Sequence, residues 1–120
     1  MHIRTDKHHV IDIYFSCKKI LSYTNGLSYD DFQNNDVIID AVIRNIEIIG
    51  EATKNISQEL KQKYPDIYWT EMAKTRDKLI HHYFGTDIDA LWDIVSKDIP
   101  YLTNKIYNLI QEENWTDEMT

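Results

Sequence analysis

From Lys7 to Tyr23, apolar residues fall at Val10, Ile13, Tyr14, Cys17, Ile20 and Leu21. Steps of three and one make the stripe of a helix, not the alternation of a strand. Asn25-Gly26 then offers a C-terminal stop. Ser28, with Asp31 three residues on, reads as the capping signal of a short turn of helix. Asn35 or Asp36 is suited to cap the next element. That element is predicted from about Val37 to about Leu60, with Ile38, Ala41, Val42, Ile46, Ile49, Ala52 and Ile56 along it. Ile39, Ile43 and Ile48 widen its stripe, so it is expected to bury more than one face, with a second chain as one cover. Tyr64-Pro65-Asp66 breaks the pattern, because a residue before proline avoids helical geometry. A third helix is predicted from Trp69 or Thr70 to about His82, ended by Gly85. Asp87 caps a fourth, from about Ile88 to about Gln111, which Pro100 is expected to kink or break. Residues 112–120 form a polar tail expected to fray.

Only three glycines and two prolines occur, and no hairpin dipeptide joins alternating strands. The prediction is therefore all-α: one domain over residues 1–120, an antiparallel bundle of four main helices plus a short turn of helix. Such a length holds a core without disulfides or metal staples. The one cysteine, Cys17, lies on an apolar helical face and reads as a buried, inert thiol. A lone cysteine suits a reducing cytoplasm. The N-terminal stretch is polar, without the apolar core of a signal peptide, and no apolar run is long enough to span a bilayer. The net charge of −7 disfavours nucleic-acid binding over the whole surface, so any RNA chemistry needs a local basic site.

One segment has that character: Arg76-Asp77-Lys78-Leu79-Ile80-His81-His82-Tyr83. Arginine presents a planar fork of donors suited to phosphate. His81 and His82 titrate near neutral pH, so either is a candidate general acid or base. Tyr83 can donate a hydrogen bond to a phosphate or leaving oxygen. Together these side chains supply what metal-free RNA cleavage needs. Each also has a structural reading. Arginine and histidine near a helix C-terminus satisfy its last carbonyls and dipole. Arg76 can pair with a glutamate of the neighbouring helix, Glu47 or Glu51, which would also orient it. Tyrosines usually sit at a core edge. Arg76 and Tyr83 share a helical face within about 20°, whereas Arg76 and His81 lie about 140° apart. They converge only through arginine's reach, a loosened helix end or a second subunit. Helical geometry does not choose between the two histidines.

Other chemistries have thinner support. His8-His9 is an isolated pair with no zinc-site spacing elsewhere, so no metal is predicted. No phosphate-binding glycine loop or nucleophile elbow occurs, and no cofactor is predicted. Trp69, Trp92 and Trp115 are too scattered for a base-stacking platform, and Trp92 reads as core. Asp30-Asp31 reads as solvated surface.

Three segments together resemble the HepT-like toxins of the HEPN superfamily, the ribonucleases of HEPN/MNT toxin–antitoxin pairs. They are Ile20-Leu21-Ser22-Tyr23-Thr24 followed by Tyr29-Asp30-Asp31-Phe32; Asp40 through Ala52; and Tyr64-Pro65-Asp66-Ile67-Tyr68-Trp69 running on to Arg76 through Gly85. The resemblance spans about Val10 to about Ile110. The family's Arg-x4-His-x-Tyr motif falls on Arg76, His81 and Tyr83, which selects His81 over His82. Members often carry asparagine after the arginine; here it is Asp77, whose carboxylate can pair with Arg76 and lessen its pull on phosphate. The resemblance implies a helical homodimer with both motifs lining a cleft between subunits. It implies metal-independent RNA cleavage through a cyclic phosphate in the cytoplasm, and an MNT-type nucleotidyltransferase antitoxin that transfers AMP to Tyr83. Two rival readings stand beside it. One is a non-catalytic helical dimer that binds nucleotide, RNA or the partner protein. The other is a structural adaptor with Arg76 and Glu51 as an internal ion pair.

Overall fold

The computed structural model describes the backbone over residues 5–82 and 87–119, and the side chains over 5–75 and 87–119. The elements are α1 (Asp6–Thr24), α2 (Tyr29–Gln33), α3 (Asp36–Lys54), α4 (Gln58–Lys63), α5 (Trp69–His82), α6 (Ile88–Asp93), a π-helical turn (Ile94–Asp98), α7 (Ile99–Glu112) and a 3₁₀ turn (Thr116–Met119). No strand occurs among the described residues. The protein is an all-α bundle. α3 packs between α1 and α5, and α7 lies against α1.

The local signals work as read. Gly26 takes φ 75° just past α1, the left-handed geometry that glycine adopts without a Cβ penalty. Ser28 Oγ accepts from the Asp31 amide, and the Asp31 carboxylate accepts from the Ser28 amide, a reciprocal capping box. Asp31 is therefore a cap rather than mere solvated surface. Asn35 Oδ1 accepts from the Ile38 amide and Asp87 Oδ1 from the Ala90 amide, which fixes the starts of α3 and α6. Cys17 is fully buried, and burial pushes its thiol up to about 12.

Two features depart from the sequence-based expectations, the early end of α3 and the ordered tail. The helix expected to reach Leu60 ends at Lys54, and a new one begins at Gln58. Ser57 caps it by accepting from the Leu60 amide, and the Asp6 carboxylate accepts from the Ser57 amide and hydroxyl. Ile56 is buried within the break, so the apolar pattern runs on while the backbone turns. The break expected at Pro100 occurs: a π-helical turn interrupts the fourth predicted helix just before it, where the proline ring and missing N–H disfavour a regular turn. Of the residues that widen the α3 stripe, Ile39 and Ile43 are buried within this one chain and Ile48 is half-buried. The tail is ordered to Met119: Trp115 and Met119 pack on the core, and Lys7 pairs with Asp117 and Glu118.

One tertiary cluster carries a pH dependence. The Glu113 carboxylate accepts from Lys63 Nζ and Tyr64 Oη, each at 2.6 Å, tying the end of α4 to the end of α7. The Lys63 hydrogen bond, then that from Tyr64, holds the Glu113 carboxyl below the usual carboxylate range. A carboxylate depressed by folding contributes stability that is full above its unfolded value and lost as pH falls through its folded one. Glu113→Gln is therefore expected to lower the melting temperature at neutral pH, with the deficit shrinking as pH falls through the acidic range where the carboxylate takes up its proton. Thermal melts of both proteins across that range check it; a deficit constant with pH would assign the stability to packing instead.

Candidate functional site

The segment before α5 is tied down locally. The Trp69 indole donates to the Tyr64 carbonyl at 3.0 Å, and Ile67 and Trp69 are both buried. These anchors set where α5 starts and how it lies on α3. Arg76, Asp77 and His81 are on α5, which is α-helical to His82. Their side chains, and Tyr83 altogether, lie outside the described residues. What the backbone fixes is register. Position 76 falls one turn after Met72 and two after Trp69, the residues that seat α5 on the core. Position 81 falls about half a turn around the helix from Met72. Because α5 stays α-helical through His82, the helix does not loosen between Arg76 and His81. Arginine's reach and a second subunit remain as the routes to convergence.

The two glutamates of α3 lie one turn apart. With His9, Asp12, Arg44 and Asn55 they line a polar pocket of about 350 Å³ on the α1–α3 face. The Glu47 carboxylate pairs with Arg44 at 3.8 Å, so it has a cation on its own helix. α3, which carries both glutamates, packs directly on the motif helix α5. His8 serves the fold, because its Nδ1 accepts from the Thr5 amide at 3.2 Å at the start of α1. Among the described residues no group of three histidine, cysteine or acidic side chains is placed to hold a metal ion. No helix among them is long and apolar enough to cross a membrane.

A groove of about 190 Å³ opens beside the motif segment, between α5 and the π-helical turn with the start of α7. Thr75, the last described side chain before Arg76, lines it. Its floor is apolar, from Ile46, Ile49 and Met72, and Glu71 and Asp98 bring carboxylates to it. Tyr68 and Tyr101 wall it with stacked rings, centroids 5.4 Å apart and planes 16° apart. The neighbouring Tyr101 hydroxyl is the main cause holding the Tyr68 phenol above its usual range. Sequence patterning considered only the tryptophans, rejected them as too scattered for a stacking platform, and missed these tyrosines. Their one signal is position, Tyr68 at the start of α5 and Tyr101 just after Pro100, and nothing local links the two.

Comparison with known proteins gives this arrangement a family. The family described as "Ribonuclease HepT-like" matches residues 13–109. The "Probable ribonuclease HepT" of Thermococcus cleftensis is 44% identical over 106 residues, covering 88% of this chain and 96% of that protein. "Putative RNase MJ0127" of Methanocaldococcus jannaschii is 41% identical over 107 residues, covering 89% of this chain and 88% of that protein. No solved structure matches the chain. With the family match spanning most of the bundle and relatives similar along nearly their whole length, the chain belongs to the HepT-like ribonuclease family.

Proposed function

We propose that this chain is a metal-independent endoribonuclease toxin, acting as a homodimer with Arg76, His81 and Tyr83 at its cleavage site. The observation that carries the reading is an ungapped Arg-x4-His-x-Tyr motif within a chain of a ribonuclease family. The RNA 2′-oxygen attacks the adjacent phosphorus, the new O–P bond closes a 2′,3′-cyclic phosphate, and the P–O5′ bond breaks. His81 takes the 2′-hydroxyl proton or gives one to the leaving 5′-oxygen, and the histidine of the second copy takes the other role. Arg76 stabilises the charge that builds on the phosphate, and Tyr83 positions it. Positions 76 and 81 lie apart around one helix, which suits a cleft that two copies complete. Glu47 or Glu51, on the adjoining helix, would orient Arg76; Asp77 beside it tempers its charge.

The test is cleavage of an end-labelled RNA in excess chelator. Product ending in a cyclic phosphate is the expected result. Clean, unmodified protein that leaves the RNA intact would transfer the motif to a binding role.

Control follows from the same tyrosine. In the proposed pair, a nucleotidyltransferase antitoxin directs the Tyr83 hydroxyl onto the α-phosphorus of ATP; the O–P bond forms, pyrophosphate leaves, and AMP stays on the tyrosine. The added charge and bulk next to Arg76 exclude substrate phosphate. Intact-mass analysis after incubation with ATP and the partner is expected to show AMP-sized additions that Tyr83→Phe abolishes. An unchanged mass in wild type would remove this mode of control.

A further inference from the structure

We propose that the groove between α5 and the π-helical turn is a subsite for one unstacked nucleobase of single-stranded RNA, next to the cleavage motif; this rests on the ribonuclease reading above. Tyr68 and Tyr101 are 58% and 38% exposed, although their rings are stacked on each other. Lys105 Nζ lies 5.5 Å from the Tyr101 ring centroid, and the Tyr101 hydroxyl donates to the Asp66 carbonyl at 3.2 Å, so the stack is held in place. Pre-ordered aromatic faces with a cation beside them are how proteins hold single-stranded nucleic acid: bases stack on the rings and the cation meets the backbone.

The groove's other walls choose a base over a phosphate. Glu71 and Asp98 repel an anion, yet they accept hydrogen bonds from the amino and imino N–H groups on a base edge. Ile46, Ile49 and Met72 give its flat faces apolar contact. At about 190 Å³ the space is smaller than a drug-sized site, which runs from roughly 300 Å³ upward, and suits one ring system. The phosphates then stay outside, where Lys105 can meet one. Two of the lining residues, Ile94 and Asp98, belong to the π-helical turn, a distortion frequent at functional sites. Thr75 in the wall puts the subsite one residue from Arg76 along α5, so a seated base would hold the strand beside the scissile phosphate.

The test uses a fluorescent oligoribonucleotide with 2′-O-methyl groups throughout, which binds but cannot be cleaved by 2′-oxygen attack. Tyr68→Ala is expected to weaken binding about tenfold or more, the loss of one stacked base, and Tyr101→Ala, which removes the ring that backs Tyr68, to weaken it in the same direction. Tyr68→Phe keeps affinity because the ring remains. With cleavable RNA, Tyr68→Ala is expected to raise KM and leave kcat, the mark of lost ground-state binding. Circular dichroism of each variant checks that it folds. If wild type cleaves RNA and Tyr68→Ala binds the oligonucleotide as tightly as wild type, the subsite is overturned while the ribonuclease reading stands. If affinity depends on Tyr68 but wild type never cleaves, the subsite stands and the ribonuclease reading falls. A change of oligomeric state in Tyr68→Ala, seen by sedimentation without loss of RNA affinity, would assign the groove to a subunit contact and overturn the proposal.

Discussion

RNA cleavage is expected to fall about 10²- to 10⁴-fold in His81→Ala, the range lost when a positioned proton-transfer group is removed. His82→Ala, one residue away, is expected to change the rate by no more than a few-fold. The contrast matters because both side chains are the same imidazole and both sit at the end of α5. Only their angular positions differ, by about 100°. A role in the helix dipole or in general charge would be shared by the pair, whereas proton transfer to one defined oxygen is not. Arg76→Ala is expected to cost about 10²- to 10³-fold, and Arg76→Lys to recover little of it, since an ammonium cannot match the guanidinium fork on a phosphate. Initial rates on one labelled RNA, in chelator, compare all four variants. Full activity in His81→Ala from a rigorously purified protein would sink the assignment. Equal losses at His81 and His82 would point to charge instead of proton transfer.

What was legible in the sequence divides along the range of the interactions. Ser28 with Asp31, Asn35 and Asp87 were readable because a cap and the amide it serves lie within one turn. Pro100 announced a break through its own ring, although not that the break would be π-helical. The end of α3 was hidden. Its stripe continues through Ile56 and Leu60, and the contact that turns the chain joins Ser57 to Asp6, 51 residues away. The ordered tail was hidden for the same reason, because Trp115 finds the core and Asp117 and Glu118 find Lys7 only in three dimensions. The motif shows an equivalent split. Its three residue types were legible as chemistry, and the helical wheel already placed Arg76 and His81 apart. The groove beside it was not legible, because its aromatic walls come from the starts of two helices that only the bundle brings together.

Phe32→Ala is expected to cost about 3–5 kcal/mol of stability, the usual loss for a buried phenylalanine. α2 is five residues long, far below the length at which a helix holds itself in water. It persists because Ser28 and Asp31 close its first turn and because Phe32 anchors it. That ring is fully buried, 5.0 Å from the Trp92 ring, with Tyr29 bonded to Asp89 alongside. Removing the ring leaves a cavity between α2, α3 and α6 that a tightly capped turn cannot collapse to fill. Against a typical total of about 5–15 kcal/mol this loss is a large share of the whole. The melting temperature is expected to drop on the order of 10–20 °C. Phe32→Leu keeps most of the volume and costs less than about 1.5 kcal/mol, while Tyr29→Phe, at an exposed hydroxyl, changes little. A melting shift of under about 3 °C in Phe32→Ala would mean that α2 is a replaceable flap and not part of the cooperative core. Assayed well below its melting point, Phe32→Ala should still cleave RNA. The contrast with His81→Ala, which should melt like wild type and not cleave, separates what holds the bundle together from what works on its α5 edge.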